Sequence, residues 1–382
     1  MIRSIKALTA SSYISMLFLG VASTLIGAAA RNINLSPFEI GVLLTVQNIG
    51  FMLAVWIAGA LSDNHEKPRI LTVGSLILGF SFLTFYLSDI FWVNLIIMLM
   101  IGAGAGVYEG VTDAMLLDMH STRQNLHINI NHFFVTFGSI LITTYLIFLQ
   151  MSWRVALTQS AVVVLLLAIF FIIARLAIRH TQQEDYAQRL RILSRQRLVV
   201  ALFIATALVV GVELASSGIL TTYLMDMRGF TQVTSKLGLL TFLVGIAAGR
   251  LFVGFFTRRS QITQYLLGMF ALAGLFFAIL YYVDLGVWTY LSIFLAGLSM
   301  SALLPLMITL AGLVYPDMSG TVIGTIKVAI PLGGILVPLL MSVVSKWASL
   351  QAAIAIFPLA LWLACFLLWV TFRRTPALNM PH

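Results

Sequence analysis

Cysteine is nearly absent from this chain. Its one cysteine, Cys365, lies in an apolar run, which excludes a disulfide framework or a cysteine metal site and leaves an inert thiol. Charge is almost as scarce: 9% of residues are charged and 60% are hydrophobic, with a mean hydropathy of +1.03. That balance fits neither a soluble globular domain nor a disordered chain. Catalytic motifs are missing too. There is no G-x-x-x-x-G-K-[ST] phosphate loop, so nothing points to ATP-driven transport by this chain alone, and nothing resembles a nucleophile elbow. His65-Glu66 is followed by Lys67-Pro68-Arg69, which is not a zinc-protease pattern. His120 and His127 lack the thiol or carboxylate spacing of a metal centre. The expectation is a protein that is not an enzyme, with no catalytic residues, no metal and no cofactor.

What the chain does have is apolar length. Twelve runs, at about 8–30, 38–61, 70–87, 92–117, 127–149, 154–178, 198–224, 233–256, 263–283, 288–313, 320–344 and 351–372, each come near the roughly 20 residues that cross a bilayer. The first is too long for a signal-peptide core and reads as a retained helix. The charged stretch from Arg179 to Arg197 divides the chain into a six-span bundle at 1–178, a linker at 179–197 and a second bundle at 198–382. The net charge of +9 would point to nucleic acid in a soluble chain. Here the basic residues sit in short loops on one side of the predicted topology, so they report orientation and not nucleic acid. With the N-terminus inside, both termini and the linker are cytoplasmic, in a multi-pass protein of the cell (inner) membrane. The partners expected are the lipid bilayer, a small-molecule substrate and protons, for a monomer.

Within the fourth run, IGAGAGVYEGVTDAM places Glu109 and Asp113 four residues apart on one helix face. A carboxylate at the centre of a membrane helix costs about 2.5 to 3.5 kcal/mol on insertion scales. A chain that keeps two of them is expected to use them, and the neighbouring glycines allow close helix approach or room for a solute.

The two halves repeat. Gly20-Val21 and Gly27 recur as Gly211-Val212 and Gly218; Gly59 recurs as Gly249; Phe137-Gly138-Ser139-Ile140 lines up with Leu332-Gly333-Gly334-Ile335. Six spans per half in one orientation make a parallel repeat. The register that aligns Gly138 with Gly333 also aligns His132 with Lys327. Glu109, His132 and Lys327 all lie about 8 to 12 Å inside the predicted cytoplasmic boundary by helical rise, and are expected to face one central cavity.

On these residues the chain resembles the major facilitator superfamily. The loop after span two carries Gly59-Ala60-Leu61-Ser62-Asp63, then Lys67 and Arg69, and span eight carries Gly249-Arg250 and Gly254. The resemblance implies two six-helix bundles related by a pseudo-two-fold axis, an all-α membrane fold working by alternating access. It also implies gating roles for Gly59, Asp63, Arg69, Gly249 and Arg250. More narrowly, Glu109 with Asn129, His132, Phe133, Phe134 and Gly138 resembles the fucose:proton symporter branch, as do Glu213, Pro305 and Gly333-Gly334 with Pro338. This chain lacks the acid that branch carries in its first span, and has Asp113 where the branch has asparagine. The implied function is proton-coupled uptake of a small polar solute, a sugar first. The alternatives are proton-driven efflux of a drug or metabolite and organic-anion transport.

In that reading Glu109 and Asp113 couple protons, desolvation being the lever that lets Glu109 load and release one near neutral pH. Asn129 and His132 bind solute hydroxyls or relay the proton. Glu213, read as nearer the outer side, Gln47 and Asn48 join them as substrate-binding candidates. Lys327 either pairs with Glu109 or Asp113 or binds an anionic substrate. Pro305, Pro331 and Pro338 mark helices that bend.

Overall fold

The structure is a computed structural model that describes residues 4–62, 65–120, 124–148, 152–176, 191–256, 261–315 and 319–374. Helices account for nearly all of it: α1 (Ile5–Ala29), α2 (Pro37–Ser62), α3 (Lys67–Thr84), α4 (Phe91–Met119), α5 (Gln124–Phe148), α6 (Trp153–Ile173), α7 (Arg197–Arg228), α8 (Gln232–Phe256), α9 (Ile262–Tyr282), α10 (Thr289–Ser301), α11 (Leu303–Val314), α12 (Ser319–Trp347), α13 (Leu350–Ile354) and α14 (Ile356–Arg373). Two predicted spans are broken helices, α10 with α11 and α13 with α14. Eleven spans among the described residues are long and apolar enough to cross a bilayer. The remaining long helix, α3, has 18 residues and carries Lys67 and Arg69 in its first turn.

Local chemistry explains where the predicted boundaries move. Pro68 stands in the first turn of α3, where its missing N–H is not needed, so α3 begins inside the stretch read as a polar loop. It ends early because Tyr86 turns left-handed, φ 51°, with its N–H donating to Asn94 Oδ1 at 2.7 Å. Asn94 is fully buried and ties the same turn through Nδ2 to Ser88 O at 2.7 Å. Pro305 falls in the first turn of α11 and coincides with the break at Ala302. Pro331 and Pro338 lie inside α12, which continues through both, so those two do not break the helix.

Two compact units emerge: residues 1–35 with 43–182, and residues 36–42 with 183–382. Each is held by the same device. In the first, a Cβ on Gly20 would stand 1.9 Å from Val135 O, and one on Gly138 1.9 Å from Leu17 O, so α1 and α5 cross backbone to backbone. In the second, a Cβ on Gly211 would stand 2.5 Å from Gly333 O, and one on Gly333 1.9 Å from Ala207 O, so α7 and α12 cross in the same way. A second pair of crossings repeats the pattern. Gly50 and Gly102 bring α2 onto α4, and Gly245 and Gly297 bring α8 onto α10. Glycine is needed because association between membrane helices rests on close packing and not on expelled water. The repeat seen in the sequence is therefore a repeat of crossing points. Gly59 and Gly249 do not share it: among the described residues nothing lies within 4 Å of a Cβ on Gly59, whereas one on Gly249 would meet Ser301 Oγ at 1.9 Å.

Candidate functional site

The site in the first unit is built on α4. Its glycines draw two helices against it, since a Cβ on Gly102 would meet Gln47 O of α2 at 1.8 Å and one on Gly104 would meet Leu78 of α3. One face of α4 is thereby sealed: Tyr108, fully buried, exchanges a hydrogen bond of 2.7 Å with Ser75 of α3. Residues one and five positions on turn the other way, towards α5. Asp113 Oδ2 lies 2.9 Å from His132 Nε2, and Asp113 Oδ1 accepts from Asn131 Nδ2 at 2.9 Å. Asn131 Nδ2 also reaches Thr112 Oγ1 at 3.0 Å. Thr112 in turn donates to Tyr108 O at 2.8 Å. The carboxylate is thus fixed from both sides by a fully buried amide and a half-buried imidazole.

Glu109 completes the cluster. Ligating atoms of Glu109, Asp113 and His132 all lie within 4.8 Å of one another, and each residue is partly accessible. Glu109 itself makes no hydrogen bond or ion pair among the described residues. Two carboxylates and an imidazole this close can share protons, bind a cation, or offer acceptors to solute hydroxyls. Aromatic rings continue along α5 beside them. Phe133 and Phe137, 50% and 41% exposed, stack at 6.1 Å, and Phe134 stacks on Tyr13 of α1 at 5.3 Å. Polar groups converging beside an apolar ring surface are the usual make-up of a small-molecule site.

The other expected residues fall as follows. The side chain of Asn129 lies outside the described residues; Asn131, two positions on, holds the central carboxylate. The helical spacing that groups Asn129 with His132 passes over Asn131, and only the packing of α5 on α4 reveals it. Gln47 is buried and donates to Ala22 O at 2.8 Å, while Asn48 donates to Leu44 O in its own helix at 2.9 Å. Both amides are occupied with backbone.

In the second unit Glu213 and Arg250 form an ion pair, Nη2 to Oε1 3.4 Å. The sequence reading put Glu213 towards the outer end of its span. Because α7 continues to Arg228, Glu213 is the seventeenth of 32 residues and sits mid-helix, within reach of Arg250 on α8. Lys327 is half-buried and is the ninth residue of α12, as His132 is the ninth of α5.

The description "Major Facilitator Superfamily" fits a family model that matches residues 8–338. The chain belongs to the major facilitator superfamily. A glucose/mannose transporter, GlcP of Bacillus subtilis (strain 168), is 22% identical over 308 residues, covering 74% of this chain and 73% of that protein. Among solved structures, the nucleoside transporter NupG superposes with a TM-score of 0.80 at 13% identity, over 97% of this chain and 100% of that one. A D-xylose-proton symporter does so with a TM-score of 0.78 at 14% identity, over 96% and 97%. At these identities the superpositions establish the fold. The protein is a multi-pass membrane transporter and not an enzyme, as the family implies.

The superfamily signature takes a particular form here. Lys67, 7% exposed, bonds Asp118 Oδ2 at 2.6 Å and Ser62 O at 3.2 Å, so it fastens the start of α3 to the end of α4. Arg69 Nε pairs with Glu66 at 2.7 Å. Asp63 lies outside the described residues. Gly249 is a packing glycine against α10. Beyond the spans, His120 and His127 stack at 3.7 Å, held to α1 by Thr9 Oγ1 at 2.8 Å and Tyr13 OH at 2.7 Å. Burial, and then His127, hold the His120 imidazole below its ordinary value.

Proposed function

We propose that the protein is a secondary active transporter that takes up a small polar solute, a sugar first, together with protons, by alternating access. The observation that carries the reading is the cluster of Glu109, Asp113 and His132 within 4.8 Å inside a membrane-spanning unit. A fixed, hydrogen-bonded pair such as Asp113–His132 beside a carboxylate that has no bond among the described residues holds a variable number of protons with little rearrangement. Binding a solute hydroxyl at the same acceptors changes how many it holds, which is the coupling a symporter needs. The Phe133–Phe137 surface beside it suits the apolar face of a sugar ring. The similarity to a glucose/mannose transporter and to a D-xylose-proton symporter supports the same solute class.

The test is uptake into proteoliposomes across an imposed pH gradient, with labelled hexoses, pentoses, nucleosides and organic acids offered in turn. The expected result is accumulation of a neutral sugar that alkalinises the outer medium. Glu109→Gln and Asp113→Asn are expected to abolish accumulation, with solute exchange at equal concentrations retained. Gradient-driven accumulation that survives in both variants sinks the proton-coupling assignment. A second reading, organic-anion transport, rests on Lys327 standing in α12 at the register His132 holds in α5. Accumulation of acids alone, lost in Lys327→Ala, would move the assignment there. Solute expulsion against the gradient would make the protein an efflux pump.

A further inference from the structure

A groove of about 680 Å³ runs along the outside of the first unit between α2 and α3, floored by α4, and the transport site makes no use of it. Its walls are two helical stripes. Ile57 and Leu61 of α2 are 52% and 43% exposed, and Val73 of α3 is 54% exposed; Val107 of α4 lies at the bottom. At one end the lining turns polar, with His65, Glu66 and Arg69. From Arg69 to Ile77 the α3 wall extends about 12 Å by helical rise, most of one half of the roughly 30 Å hydrocarbon core. The groove therefore spans most of one leaflet, apolar along its length and polar at one end.

Charge decides which lipid it suits. Glu66 is faced by two guanidinium groups, Arg69 at 2.7 Å and Arg175 at 3.8 Å, so the described residues leave a positive excess at the polar end. The Arg69 side chain is 65% exposed and meets Glu66 through Nε; its Nη groups make no hydrogen bond among the described residues. A planar fork with free N–H groups at headgroup depth is built for a phosphodiester. We propose that this groove is a binding site for an anionic phospholipid of the surrounding bilayer, one acyl chain lying between α2 and α3 and the phosphate on Arg69.

The experiment uses the purified full-length protein in detergent. Phosphatidylglycerol and phosphatidylcholine of identical chains are added separately, and bound lipid is counted by native mass spectrometry alongside the melting temperature. Phosphatidylglycerol is expected to stay bound and raise the melting temperature, because a ligand of the folded state stabilises it by mass action; phosphatidylcholine is not. Arg69→Ala should weaken phosphatidylglycerol binding about tenfold, the worth of one charge-assisted contact. Val73→Trp should weaken it by filling the groove, and Glu66→Gln should strengthen it by removing a like charge. Because Val73 points outward, Val73→Trp keeps the test decisive even if Arg69→Ala unfolds the protein. Equal binding of the two lipids, or phosphatidylglycerol binding unchanged by Val73→Trp, overturns the proposal. So does a stable dimer that Val73→Trp disperses, since the groove would then belong to a second copy. None of these readouts depends on which solute is carried or whether protons drive it.

Discussion

At the scale of single residues, the Lys67–Asp118 pair asks for a test of its own. With side chains 8% and 20% exposed, removing one partner strands the other in a poorly hydrated place, which costs more than the pair itself contributes. Lys67→Met is expected to destabilise by about 3 kcal/mol, the low end for a broken buried pair, because Asp118 keeps some contact with water. Adding Asp118→Asn should recover part of that loss. A thermal melt of both variants and the double variant checks it, and purely additive losses would show that the two side chains do not interact. His120 gives a pH signature of the opposite kind. Burial and His127 lower its proton affinity in the folded protein, so the unfolded chain binds the extra proton first. Stability is then complete above about pH 6.5, the ordinary imidazole value, and falls as pH drops below it. The melting temperature should decline between pH 7.5 and 5.5, and decline less in His120→Gln; identical slopes would remove His120 as the cause. Asp113 and His132 were legible in the sequence as candidates because a charge inside an apolar run is conspicuous. Asn131 was not, since an asparagine beside a histidine carries no signal until the helix it packs against is known.

At the scale of helices, the glycine crossings make the sharpest prediction. Alanine at Gly138 puts a methyl 1.9 Å from Leu17 O, and alanine at Gly333 puts one 1.9 Å from Ala207 O. Both obstacles are backbone, which cannot rotate aside. Each substitution is expected to cost about 3 kcal/mol or more, beyond ordinary overpacking, and to reduce folded yield in size-exclusion profiles. Gly268 on α9 is the control, because among the described residues nothing lies within 4 Å of its Cβ position. Gly268→Ala should be neutral or stabilising by up to about 1 kcal/mol through helix propensity. Equal losses at all three positions would mean the crossings are not what glycine serves. The spacing of Gly20 with Gly138, and of Gly211 with Gly333, was readable as a repeat. Its meaning was not, because Gly59 and Gly249 matched equally well in sequence yet one is open and the other packed. Spacing records only that a small residue is present; the neighbouring backbone decides whether it is required.

At the scale of the whole molecule, orientation is the property the sequence argues for most directly. The predicted inner side collects Arg3, Lys6, Lys67, Arg69, Arg123, the four arginines of residues 189–197, Arg179, Arg258, Arg259, Arg373 and Arg374. The predicted outer side has only Arg31, Arg154, Arg228, Lys236 and Lys346, and several of these serve the fold. Arg228 donates to Tyr223 OH at 2.7 Å and to Val283 O at 2.7 Å, and Arg154 lies 4.8 Å over the Trp153 ring. Lys67 on the inner list is held in the same way by Asp118, so the imbalance rests on the difference in number between the two sides. The single cysteine makes the consequence measurable. In a Cys365→Ser background, which removes a half-buried thiol 3.5 Å from Leu267 O, Asp284→Cys reports the loop after α9, where the aspartate side chain is 83% exposed. Ser194→Cys reports the exposed segment just before α7. A membrane-impermeant maleimide added to intact cells is expected to label position 284 and to label position 194 only after the membrane is opened. The reverse pattern would turn the protein over, placing both termini and the polar end of the α2–α3 groove at the outer face.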